Sequence, residues 1–297
     1  MPETTNPTTS PGTNERGTTS ARGGPRWLRP AVVRLVLLFV VFFLGVQWLA
    51  SLAMLPVMDS PLLAQAVGVG LATIMLLLYV AAVRITERRS VTELRIRALP
   101  VGLLGGTILG FLLFTAVIAV IALFDGYQVT GSGSVDGMMA VLGMMCVVAV
   151  IEELVFRGVL LRVLEEITGV WGALAISSVL FGAMHIPNNP GATVWGAIAI
   201  AVEAGLMLGA AYLVTRSLWL PIGLHLGWNF ASVGVFGVTT SGVERDSMSL
   251  LEATTSGPDL LTGGDFGPEA SLVAIGLCTV LTVLFLFRFR MRSRSNR

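Results

Sequence analysis

Charge is scarce in this sequence, and lysine is missing altogether. Charged residues make up 12% of the 297 positions, and all 19 basic residues are arginine. Soluble domains carry about 25% charged residues, so a soluble enzyme with an ordinary polar surface is excluded. Cysteine is limited to Cys146 and Cys278, each inside an apolar run and neither near a second Cys or a His at ligand spacing. That excludes a disulfide framework and a thiolate metal site, and both are expected to be small buried apolar residues. Histidine occurs twice, and no HExxH pair is present, which removes the usual zinc-protease helix. Residues 1–26 have no apolar core, so no signal peptide is expected there. Neither an internal repeat nor the inverted-repeat symmetry of transporters is visible. Nothing in the arginine distribution points to a nucleic-acid partner.

What the sequence does have is apolar length. Hydrophobic residues make up 54% and the mean hydropathy is +0.82. A membrane helix needs about 20 mostly apolar residues. Eight segments qualify, at roughly 31–55, 62–83, 101–124, 137–161, 170–186, 192–214, 218–238 and 270–288. The expected fold class is all-α: a polytopic transmembrane helical bundle of about eight spans, with a polar catalytic cavity in its core. Residues 1–28, rich in Thr, Pro, Gly and Ser, read as a disordered tail that cannot bury enough apolar surface to offset its ordering entropy. Residues 29–290 form the transmembrane domain, and 291–297 a basic tail.

Charge placement gives an orientation. With eight spans, 18 of the 19 arginines fall on the side of the N-terminal tail, Arg245 being the exception, while the alternate connections carry Asp59, Asp125, Asp136, Glu244, Asp246, Glu252, Asp259, Asp265 and Glu269. The positive-inside rule then places both termini in the cytoplasm of a multi-pass cell-membrane protein. Segment 85–100 (ITERRSVTELRIRALP) is amphipathic and is expected along the inner membrane surface. Loop 240–269 is long, acidic and Gly-rich, with no role that can be read from it.

Few ionisable or strongly polar residues remain inside the spans: Glu152, Glu153, Arg157, His185, Glu203, His225 and Asn229. A carboxylate at the centre of a membrane helix costs about 2.5–3.5 kcal/mol on insertion scales. Glu153 and Arg157 are four apart and share a helical face, so a structural ion pair accounts for Glu153. Glu152 points about 100° away, with Phe156 at i+4, and has no local partner. In FGAMH, Phe181 and His185 are four apart; in HLGWN, His225 and Asn229 project from one face. Taken singly, each His or Asn is explained as interhelical glue. Counted at about 1.5 Å per residue, Glu152, His225 and His185 lie about 15, 10 and 22 Å from the inner ends of their helices, so modest tilt brings them to one level. Such a group holds a general base and donors for an oxyanion, the parts that water-mediated acyl cleavage needs. Glu203 could line the same cavity or pair with an arginine such as Arg216.

The three motifs EELVFR, FGAMH and HLGWN, in that order on successive helices, resemble the EExxxR, FxxxH and HxxxN motifs of the CPBP family, the Rce1-like CAAX proteases, Abi proteins and bacteriocin-processing enzymes. The resemblance covers residues 138–232. It implies an intramembrane endopeptidase acting on a membrane-embedded, membrane-associated or lipid-modified peptide or protein within the lipid bilayer. By that resemblance Glu152 activates water, His185 assists, His225 and Asn229 stabilise the oxyanion, and Glu153 and Arg157 support them. The motifs demand no cofactor. The alternative is a zinc enzyme with Glu152, His185 and His225 as ligands, since three ligands plus water is the usual catalytic zinc arrangement. Two non-enzymatic rivals remain. One is a transporter or proton channel, for which intramembrane Glu and His also serve, although these groups form one level and not a ladder. The other is a bacteriocin-immunity or scaffold protein that keeps the fold without the chemistry.

Overall fold

A computed structural model describes residues 30–186, 193–239 and 248–295. The expected tail at 1–28 and the tip of the acidic loop lie outside the described residues. Six helical stretches are long and apolar enough to span a membrane. Three are simple: α1 (Ala31–Val57), α2 (Pro61–Thr86) and α3 (Ile96–Leu123). The fourth, Val135–Ala183, is 49 residues long and breaks at Gly169, which sits at φ +71°. Only glycine takes that backbone conformation without strain. It divides the run into α4 (135–168) and α5 (170–183). Then come α6 (Val194–Thr215), the shorter α7 (Trp219–Asn229, continued by a wider-wound turn over Phe230–Val235) and α8 (Leu272–Ser295). Among the described residues the bundle therefore has eight helical segments in six long apolar stretches, an all-α polytopic membrane bundle as the hydropathy pattern predicts.

Two details differ from the sequence reading. Helix α4 runs seven residues past its predicted end at 161, so Arg157 and Arg162 lie within a helix and carry no information about loop charge. A small sheet is also present. Strand β1 (Tyr127–Ser132) pairs antiparallel with β2 (Leu251–Thr255), tying the α3–α4 connection to the α7–α8 connection. The acidic loop thus caps one end of the bundle, and Tyr127 anchors the cap by donating its hydroxyl to the carbonyl of Phe236 at 2.9 Å.

Burial separates the helices into a core and a wrapper. The most apolar windows of the α4–α5 run and of α6 are 72% buried, against 17% for α8. The outer helices present Leu, Ile and Val outward over their whole length, a surface that only a lipid environment accommodates. Helices α3 and α7 approach through facing glycines. A Cβ on Gly110 would lie 2.1 Å from the Leu224 carbonyl oxygen, and one on Gly227 only 2.0 Å from that of Thr107. This is small-xxx-small packing, in which absent side chains let two backbones touch. It matters for function because Gly223 and Gly227 bracket His225 on α7.

At the arginine-rich end, residues 87–95 do not form one amphipathic helix along the surface. They fold into short turns clasped to the bundle. Arg162 of α4 donates to Glu87 (2.8 Å), Arg89 binds Glu87 and Glu93, and Tyr79 of α2 donates to Glu93 (2.7 Å). The same turns hold the start of α7, where the Leu218 N–H donates to the Glu93 carbonyl and the Trp219 indole to the Arg95 carbonyl. Burial would raise the carboxyl pKa values of Glu87 and Glu93, but hydrogen bonds from Arg162 and Arg89 outweigh it and hold both below the ordinary glutamate value of 4.5.

Candidate active site

The site begins with a change of helical winding. Helix α4 is regular through Glu153, then takes a wider π-helical path over Leu154–Leu161. Such turns leave some carbonyls without i−4 partners, and they recur at functional sites. Side chains fill the gaps. Ser177 of α5 donates to the Phe156 carbonyl, and Arg162 of α4 itself donates to that of Gly158, which lies 2.9 Å from the Tyr79 hydroxyl of α2. A second wide turn, Ala201–Leu206, carries Glu203 on α6, and a third follows Asn229 on α7.

Arg157 is 1% exposed and binds the two motif-bearing layers together. Its Nη1 donates to Glu153 Oε1 at 2.8 Å, the pair expected from their spacing. Its Nη2 donates to the Ala204 and Gly205 carbonyls in the wide turn of α6, at 2.8 and 3.1 Å. The guanidinium lies 4.6 Å over the Phe181 ring, a cation–π contact in a desolvated setting. Phe181 is the first residue of the FGAMH motif. Its ring centroid is 5.0 Å from the His185 ring and 6.2 Å from the His225 ring. It therefore spaces the two histidines apart.

Glu153 does more than pair with arginine. The same Oε1 also meets His225 Nδ1 at 3.0 Å. A carboxylate oxygen only accepts, so Nδ1 carries the proton and Nε2 is the atom left to face the site. Nε2 lies 3.8 Å from Glu152 Oε2. That is too long for a direct hydrogen bond and short enough for both atoms to share one water. His185 lies just past the end of α5, and its Nδ1 donates to the Phe181 carbonyl at 2.7 Å, so its Nε2 is likewise presented.

His185, His225 and Asn229 line a small cavity of about 30 Å³ with Phe181, Glu203, Trp228 and Glu269 among its walls. Glu152 lies beside His225 of that lining and is itself partly accessible. A largely apolar groove of about 430 Å³ runs between α5 and α6, past Ser178, Ala183, Ile186 and Val202. The structure thus gathers the sequence-predicted Glu152, Glu153, Arg157, His185, His225 and Asn229 around Phe181 and one cavity. It adds Glu269, which no motif signals, and Trp228, an unspecified position within HLGWN. Glu203 shares the cavity and makes no ion pair with Arg216, which binds Glu165 instead. Among the described residues, no three His, Cys, Asp or Glu side chains come together as a metal-ligand set. Glu152, His185 and His225 therefore do not fit the three-ligand arrangement of catalytic zinc as placed.

Residues 134–231, the stretch that builds this site, match the family described as type II CAAX prenyl endopeptidase, Rce1-like. This stretch, about a third of the chain, is similar to the CAAX proteases, and it lies in a chain with six helical stretches long and apolar enough to span a membrane. No curated protein and no solved structure matches the chain.

Proposed function

We propose that this protease cleaves its substrate with a water activated by Glu152, without routing the reaction through a metal. The observation that carries the reading is the clamp on His225. Glu153 fixes Nδ1, and Nε2 is left 3.8 Å from Glu152 over the cavity. In this mechanism Glu152 accepts a proton from water as the oxygen attacks the scissile carbonyl carbon. The carbonyl oxygen becomes the oxyanion. Nε2–H of a doubly protonated His225 and the Asn229 amide stabilise it, and His185 helps to position the water. Glu153 and Arg157 act on the reaction through His225 and are positioning residues.

The substrate we infer is a membrane-associated or lipid-modified peptide whose apolar part rests in the groove between α5 and α6. The arginine-rich end is read as cytoplasmic. The test is direct. Glu152→Ala, His185→Ala and His225→Ala should each abolish cleavage of a prenylated CAAX peptide while the protein still inserts, and Asn229→Ala should impair it less. Cleavage retained by Glu152→Ala would refute the assignment of the base. Zinc stoichiometric with active protein, and activity lost to a chelator, would refute the metal-free route.

A further inference from the structure

One cluster in the cavity is not used by this mechanism. Glu203 of α6 is 1% exposed, and neither of its carboxyl oxygens has a hydrogen-bond partner among the described residues. It faces the same cavity as His185, His225 and Asn229. Glu269 lines it too, 2% exposed, on the short turn Pro268–Ala270 that precedes α8. That turn is seated in the bundle by two indoles. Trp195 donates to the Ala270 carbonyl at 2.8 Å, and Trp228 of α7 to Glu269 Oε1 at 2.9 Å. Among the described residues no arginine counters the charge on Glu203: the charged group that acts on it is Glu269, and it repels. The other ionisable groups nearby are His185 and His225 in the cavity wall and Cys278 on α8.

Two carboxylates that share one cavity away from water resist being ionised together, and one keeps a proton. Which one keeps it follows from the hydrogen bonds. Glu269 accepts the Trp228 indole N–H. Glu203 has no donor among the described residues, so an ionised Glu203 would be a buried, unpaired charge.

We propose that Glu203 and Glu269 hold one proton between them and that Glu203 delivers it to the departing amine of the substrate. This rests on Glu152 being the base that activates water. The balance closes. Water gives one proton to Glu152 and its oxygen to the carbonyl carbon. The oxyanion collapses, the carbon–nitrogen bond breaks, and nitrogen takes the Glu203 proton. The proton on Glu152 then returns to the Glu203–Glu269 pair by way of His225, which lines the cavity and lies 3.8 Å from Glu152. The pair supplies an acid distinct from Glu152, which holds the proton taken from water, and from Glu153, which is committed to Arg157 and His225.

Glu203→Gln tests this, because glutamine keeps the shape and neutrality of a protonated glutamate but cannot surrender an acidic proton. Two substrates are compared: a prenylated CAAX peptide, and the same peptide with an ester at the scissile bond, whose leaving oxygen needs a proton less. General acids contribute about 10²–10⁴-fold, so Glu203→Gln should lose that much kcat on the peptide and less than about tenfold on the ester. Independently of any substrate, the infrared carbonyl stretch of a buried carboxylic acid should be present in the wild-type protein and absent in Glu203→Gln. Wild-type kcat on the peptide, equal losses on both substrates, or an infrared band that survives the substitution would each overturn the proposal. Glu152→Gln should lose both substrates; if it cleaves them, the failure lies in the assignment of the base and not in the acid.

Discussion

Arg157 and Glu153 form an ion pair whose worth to stability and whose worth to catalysis should separate cleanly. Both side chains are sealed from solvent, so screening does not reduce the effect. Arg157→Met would leave a buried carboxylate holding only the His225 contact, and would strip the Ala204 and Gly205 carbonyls of their donor. Breaking a buried pair from one side costs about 3–5 kcal/mol. Replacing the whole pair is different. Such pairs are often near neutral against uncharged residues of similar volume, and here Glu153 Oε2 and Arg157 Nε have no hydrogen-bond partner to lose. The double variant Glu153→Gln/Arg157→Met should therefore recover about 2–3 kcal/mol of the loss, within the coupling range seen for residues in contact. Activity should not recover with it. The neutral amide is a weaker acceptor for His225 Nδ1 than the carboxylate, and a catalytic ring displaced by about 1 Å loses about 10²-fold in rate. The assay is equilibrium unfolding in mixed detergent micelles, followed by the intrinsic tryptophans, with turnover measured on the same preparations. Additive losses in the double variant, or an Arg157→Met cost below about 1 kcal/mol, would refute the view of the pair as a mutually dependent unit.

Further outcomes follow from other contacts. Gly227→Ala places a Cβ where the Thr107 carbonyl oxygen already stands. Helices α3 and α7 must then part, which should cost about 1–3 kcal/mol of stability. Turnover should fall far more than in Gly105→Ala, where a Cβ would meet nothing; equal effects of the two in a melting and turnover comparison would count against the packing argument. The clasp at 87–95 has a defined pH window. Glu87 and Glu93 titrate below their ordinary value, so their contribution is present above about pH 4.5 and is lost as pH falls through their lowered values. Hydrogen exchange of residues 87–96 should stay slow from neutral pH down to that point and, after correction for intrinsic rates, open below it. Opening on the alkaline side of neutrality would contradict the sign. A reporter fused after Asp259 should read external, and a cytoplasmic signal there would reverse the orientation.

The motif residues were legible because the bilayer makes polarity expensive: in a chain with 12% charge, a buried Glu, His or Asn stands out. The pairing of Glu153 with Arg157 followed from helical spacing alone, and the separation of Glu152 from it followed from rotation about the axis. The helical segments followed from apolar length. Helix α4 outruns its predicted end at 161 because the partner that Arg162 needs, Glu87, lies on another element, the clasp. The facing glycines of α3 and α7 were present in the sequence as Gly106, Gly110, Gly223 and Gly227, but which helices they join is decided only when the bundle closes.

The sequence by itself therefore determined the all-α membrane class, the apolar segments and the identity of the polar residues, because these depend on local spacing and on the cost of charge in hydrocarbon. Tertiary structure alone decided that Glu153 also orients His225, that Phe181 spaces the two histidines, and that Glu269 enters the cavity from a loop with no motif. Glu269 and Glu203 are 66 positions apart on elements with no common periodicity. Only the packing of α6, α7 and the turn before α8 brings the two side chains to one cavity.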